Sequence, residues 1–116
     1  MYGVTKVYNE LLGRYYFLKY GVDFRCIRYP GIISSEEYEY HGTTDYSTEI
    51  FFKALREKKY ECFLTADTPL PLIHMDDALR ATVQFLEADN SALTRRVYNL
   101  AGMSLTPRAF ADEIKK

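Results

Sequence analysis

The chain has 116 residues, 47% hydrophobic and 27% charged, with a net charge of −1 at neutral pH. This is an ordinary globular balance with room for one domain and a modest core, which argues against disorder and against a global electrostatic pull toward nucleic acid or an anionic membrane. No apolar run approaches the roughly 20 residues needed to span a bilayer, and the N-terminus lacks the apolar segment of a signal peptide.

The first predicted element is a helix from about Tyr2 to Tyr20, stopped by Gly21, a residue suited to a left-handed cap. Val4, Val7, Tyr8, Leu11, Leu12 and Tyr15 recur at helical intervals and define one apolar stripe that should face a core or a partner. At about 100° per residue, Tyr2 and Lys6 project from the opposite face with Asn9 and Gly13. A second Tyr-x-x-x-Lys, Tyr15 with Lys19, falls on or beside the stripe and reads as a packed tyrosine with a snorkelling lysine. A phenol is a poor base at neutral pH unless positive charge favours its anion, and an ammonium one helical turn away supplies such charge.

A strand follows, with Val22, Phe24 and Cys26 alternating against Asp23 and Arg25 before Ile27 and Tyr29 lead into the Pro30-Gly31 break. Ile32 to Tyr46 has no consistent period and reads as a polar, aromatic loop, bulky at Tyr38, Glu39, Tyr40 and His41, ending in Gly42-Thr43-Thr44-Asp45-Tyr46. A helix from about Ser47 to Lys58 comes next, for which Thr44, Asp45 or Ser47 could serve as an ordinary N-cap. Tyr60 to Thr65 is expected to be a strand, as is Leu72 to Met75, which delivers Asp76 or Asp77 to the start of a helix bearing Leu79, Thr82, Val83 and Leu86. His74, between Ile73 and Met75, reads as a satisfied, half-buried side chain, and Asp77 as structural. Val97 to Leu100 is a last short strand, before a helix with Thr106 as N-cap and Pro107 at its first position.

Cys26 and Cys62 lie in expected strands without a metal-like spacing and read as reduced, buried residues, with a disulfide between them left open. His41 and His74 are far apart, so no metal site is expected. The eleven tyrosines fall mostly at periodic positions or in one loop, which favours packing over base stacking. The element order gives α/β character, without repeats or a flexible linker.

Four motifs in this order, Tyr2-x-x-x-Lys6, Arg28-Tyr29-Pro30-Gly31, Gly42-Thr43-Thr44-Asp45-Tyr46 and Ile73-His74-Met75-Asp76-Asp77, together resemble the C-terminal half of an extended short-chain dehydrogenase/reductase (NAD-dependent epimerase/dehydratase superfamily). Within it, the likeness is closest to the L-threonine 3-dehydrogenases. The resemblance implies that residues 1–31 are the end of a Rossmann-like NAD-binding domain. Residues 32–116 would then be mostly a small substrate-binding region with returning α/β elements.

The resemblance also implies roles. Tyr2 would be the general acid/base and Lys6 its helper, both reaching the cofactor, with Tyr29, Pro30 and Gly31 at the nicotinamide end of NAD. Thr43 and Thr44 would hold the substrate, L-threonine, which would be oxidised to 2-amino-3-oxobutanoate. No Gly-rich phosphate loop occurs in the sequence, so the expectation is a truncated chain with an incomplete cofactor site and with the missing strands before Met1. The other readings are a nucleotide-sugar epimerase or dehydratase of the same superfamily, and a non-catalytic product acting only in association. A homodimer through the first helix is expected under either outcome. Cytosol and mitochondrial matrix both fit as compartments.

Overall fold

Helix α1 spans Tyr2–Tyr20, a stretch free of proline, and ends at Gly21, whose φ of 69° is left-handed and whose N–H donates to the Phe17 carbonyl at 3.1 Å. The structure, a computed structural model, describes residues 1–37 and 42–116; the Tyr38–His41 stretch expected to be bulky lies outside them. Two compact units are formed, one by Met1–Arg28 with Arg80–Leu100, the other by Tyr29–Leu79 with Ala101–Lys116.

In the first unit, α1 packs through Glu10, Gly13 and Phe17, which are half-buried while the rest of the helix is exposed. The apolar stripe expected to face a core or partner is turned outward in this chain, with Val4 67% and Leu11 61% exposed. Gly13 explains how the opposite face gets close. A Cβ there would sit 2.2 Å from the Phe24 ring, so any larger residue would have to displace that ring. Strand β1 (Cys26–Arg28) pairs in parallel with β4 (Val97–Asn99), Cys26 opposite Val97. Arg25 donates from one guanidinium nitrogen to the carbonyls of Phe85, Leu86 and Ala88 at 2.6, 2.9 and 2.8 Å. These are carbonyls at the C-terminus of α3 (Met75–Glu87), where a helix leaves acceptors unsatisfied and favours positive charge. The expected strand from Val22 is thus shorter: Phe24 N–H turns back to the Val22 carbonyl at 2.7 Å, and the ladder starts only at Cys26.

In the second unit, β2 (Gly31–Ile33), β3 (Leu70–His74) and β5 (Met103–Leu105) form one sheet in that order, β2 parallel and β5 antiparallel to the central strand. Neither β2 nor β5 was expected; strands of three residues are too short for a period to show. Helix α2 (Tyr46–Glu57) and helix α4 (Pro107–Ile114) complete the unit. Tyr46, Ile50, Leu72 and Phe110 form the core, with Ile33, Cys62, Leu64 and Leu105 packed against it, and the Tyr46 and Phe110 rings meet edge to face at 5.8 Å. Thr106 caps α4 by accepting from Ala109 N–H at 3.2 Å, and Pro107 takes the first helical position, as expected.

Tyr60 to Thr65 is not a strand. Tyr60, Cys62 and Leu64 do alternate inward against exposed Glu61 and Phe63, but the core rather than a backbone ladder satisfies that alternation. The following turn is tied to α4, where Arg108 N–H donates to the Ala66 carbonyl at 2.9 Å and the Arg108 guanidinium pairs with Asp67 at 2.8 Å.

Leu72 is fully buried at the centre of β3, so Leu72→Ala should cost about 2–5 kcal/mol of stability. Urea unfolding of the wild type and variant checks this; a loss of less than about 1 kcal/mol would place the core elsewhere.

Candidate active site

The start of α1 brings Tyr2 and Lys6 together as expected. The Lys6 Nζ lies over the Tyr2 ring, 5.1 Å from its centroid, and Tyr2 is 75% exposed. That is cation–π distance, and the two side chains are one turn apart on one face. The Tyr15–Lys19 pair has the same 5.1 Å ring distance and adds a hydrogen bond, Lys19 Nζ donating to Tyr15 Oη at 2.6 Å. Tyr15 is not packed in a core; it sits on the surface in an aromatic group with Tyr16 and Tyr20, at centroid distances of 5.7 and 6.0 Å. Pair geometry alone therefore does not single out Tyr2. Helix face does, because Tyr2 and Lys6 share their side of α1 with the half-buried Glu10 and Gly13, whereas Tyr15 lies on the outward stripe.

Glu10, one turn beyond Lys6, was not among the residues expected to act. Its carboxylate accepts two hydrogen bonds from the Arg28 guanidinium, at 2.7 and 2.6 Å, and its side chain is 17% exposed. The hydrogen bonds from Arg28 hold the Glu10 carboxyl below its usual value against a desolvation that opposes them, and Glu10 in turn raises Arg28. Burial, together with the Glu10 charge, pushes the Cys26 thiol up, with Arg28 and Lys6 opposing. Lys6, Glu10, Arg28 and Cys26 thus share one electrostatic neighbourhood. The signal available in the sequence was the spacing of Lys6 and Glu10, four apart, with an arginine opening the Arg28–Gly31 motif.

The other expected residues belong to the second unit. Tyr29 is exposed and Gly31 opens β2. A Cβ on Gly31 would lie 2.5 Å from the Thr44 Cβ and 2.8 Å from Leu72 Cδ2, so Gly31 and Thr44 are in direct contact and glycine is required there. Thr43 is exposed and Thr44 half-buried. Asp45 occupies the N-cap position of α2 but makes no side-chain capping bond; its Oδ2 accepts instead from Gly42 N–H at 2.6 Å. Ser47 Oγ donates to the Thr44 carbonyl at 2.7 Å, and Thr48 Oγ1, fully buried, accepts from Ser34 N–H at 3.1 Å. The segment that presents Thr43 and Thr44 is therefore tied at both ends. Tyr46, which ends the motif, has a buried hydroxyl with no partner among the described residues, and burial raises its pKa.

His74 ends β3 and is half-buried as expected, its Nδ1 accepting from Asp76 N–H at 3.3 Å. Asp76 and Asp77 both stand in the first turn of α3, where negative charge is favoured. Cys26 and Cys62 are free and half-buried. Among the described residues no cluster of three or more His, Cys, Asp and Glu side chains could hold a metal ion, and no helix is long and apolar enough to cross a membrane.

The family described as NAD dependent epimerase/dehydratase matches residues 1–101. A mitochondrial L-threonine 3-dehydrogenase of Bos taurus is 49% identical over 116 residues, all of this chain and 31% of that protein. The crystal structure of L-threonine dehydrogenase from Phytophthora infestans is 53% identical with a TM-score of 0.89, covering 92% of this chain and 35% of that one. A monomeric L-threonine 3-dehydrogenase from a metagenome is 44% identical with a TM-score of 0.92, covering 98% and 37%. The chain thus spans about a third of the length of the relatives it matches, and at this identity the likeness extends to their fold, α/β and Rossmann-like.

Two measurements check this geometry. Because the folded Glu10 pKa lies below the unfolded one, the stabilising effect of the pair is fully present above the usual glutamate range and is lost as pH falls through the lower folded value. The stability gap between wild type and Glu10→Gln should accordingly be widest near neutrality and close in acid; a gap independent of pH would refute the pair. Tyr46→Phe removes an unpartnered buried hydroxyl and should leave stability unchanged or raise it by about 1–3 kcal/mol, whereas a loss in thermal unfolding would mean the hydroxyl has a partner.

Proposed function

Because the chain belongs to the NAD dependent epimerase/dehydratase family, we propose that it serves NAD-dependent oxidation of L-threonine at the side-chain hydroxyl, giving 2-amino-3-oxobutanoate and NADH. The observation that carries this reading is the Tyr2 phenol with the Lys6 ammonium over its ring, on the same helix face as the Glu10–Arg28 pair. The threonine dehydrogenase relatives, similar along the whole chain, support the choice of substrate.

The donor set fits the nicotinamide–ribose end of NAD: an ammonium able to hold ribose hydroxyls stands beside an exposed phenol. No Gly-rich phosphate loop lies within these residues, so the fit is to that end alone. NAD+, when bound, would supply the acceptor for the hydride on the hydroxyl-bearing carbon of threonine. Tyr2 acts as the base in its phenolate form, taking the proton from the oxygen of that hydroxyl to become the neutral phenol, with the Lys6 ammonium as the neighbouring counter-charge. Tyr29, Pro30 and Gly31 would hold the nicotinamide side. Thr43 and Thr44 hold the amino-acid substrate, with hydroxyls and the N–H groups at the start of α2 suited to a carboxylate. Residues 1–31 close the cofactor domain and residues 32–116 form mostly the substrate region; Arg80–Leu100, which groups with Met1–Arg28, is its returning part. The outward stripe of α1 is the surface that a second copy would cover in a homodimer.

The test is L-threonine-dependent formation of NADH by the protein purified as its own cells make it. Tyr2→Phe should lower the rate by about two orders of magnitude or more, and Tyr15→Phe should leave it unchanged. Equal loss in both variants, or none in Tyr2→Phe, would overturn the assignment.

A further inference from the structure

The first unit contains a cavity of about 490 Å³, bordered by the middle and C-terminal part of α1, by Arg28, and by the residues entering β4. The volume falls in the range of small-molecule sites, roughly 300–1,000 Å³. Its lining combines two chemistries. Phe17 and Val97 are half-buried, and Leu11 and Leu18, 61% and 70% exposed, flank them with apolar surface. Around this surface stand four arginines and a single carboxylate.

The charges are not equivalent. Glu10 is neutralised by the two hydrogen bonds from Arg28. Arg96 pairs with Asp23 at 2.9 Å and stacks on Phe17, its guanidinium carbon 4.0 Å from the ring centroid. Arg14 and Arg95 are exposed, and among the described residues neither guanidinium forms an ion pair. Uncompensated positive charge thus borders an apolar recess. A bare inorganic anion would leave the leucines in water, and a neutral alkane would leave the two guanidinium groups without a partner; a molecule with both features satisfies the lining.

We propose that this cavity binds an amphipathic organic anion, a carboxylate on a medium-length alkyl chain, with the head group held by Arg14 and Arg95 and the chain against Phe17, Val97, Leu11 and Leu18. The site is independent of the dehydrogenase reading, since neither Tyr2 nor Lys6 takes part.

Titration of the protein, as its own cells make it, with decanoate below its micelle concentration, followed by backbone amide NMR, tests the proposal. Saturable shifts are expected at Leu11, Arg14, Leu18, Arg95 and Val97, and neither acetate nor decylammonium should reproduce them. An exposed ion pair contributes modestly, so reversing both charges with Arg14→Glu and Arg95→Glu should weaken binding about tenfold or more. Leu18→Asp, at an exposed position, should weaken it as well without disturbing the rest of the spectrum. The proposal is overturned if the shifts do not saturate, if they centre on Val4, Val7 and Tyr8, if acetate or decylammonium gives the same pattern, or if both sets of variants bind as wild type.

Discussion

The bidentate pair between Glu10 and Arg28 is the constraint on which the first unit depends. It joins the middle of α1 to the last residue of β1, one turn beyond Lys6. With Gly13 allowing the Phe24 ring to come close, it fixes which face of the helix meets the sheet. That face carries Tyr2 and Lys6 as well, so the register of the candidate proton-transfer residues follows from an ion pair and a missing side chain. A helix packed by its apolar stripe would have turned Tyr2 and Lys6 to the far side.

A comparable constraint governs the second unit. Gly31, Thr44 and Leu72 meet so tightly that a single added carbon would collide with both partners. Leu72 belongs to the core with Tyr46 and Phe110, so the threonine that is expected to touch substrate is set by the packing beneath it. Asp45 and Ser47 then act on the backbone of their own turn, and Thr48 reaches Ser34 after β2. Binding groups placed on a short segment held by its own hydrogen bonds lose little freedom when a ligand arrives.

Long and locally determined elements were legible in the sequence. Helix α1 begins and ends where its periodicity and Gly21 put it, and Thr106-Pro107 starts α4 as its capping chemistry requires. Elements that depend on a distant partner were not. β2 and β5 are three residues each and exist because β3 lies between them, whereas Tyr60 to Thr65 has a strand's alternation but no strand to pair with. The same division applies to the candidate site. Tyr2 and Lys6 could be picked out by spacing, while Glu10 became visible only when Arg28, eighteen positions away, was seen against it. The exposed apolar stripe of α1 shows the limit of periodicity: it reports that a face is apolar, and packing decides whether that face is covered.

The proposed reaction is removal of a hydride from the hydroxyl-bearing carbon of L-threonine by chemistry built around Tyr2 and Lys6. The most direct measurement uses L-threonine deuterated at that carbon, with NAD+ and the protein as its cells make it, and follows the label by mass spectrometry. The account predicts that deuterium appears in the reduced nicotinamide. Label retained in threonine, or released to water, would contradict it.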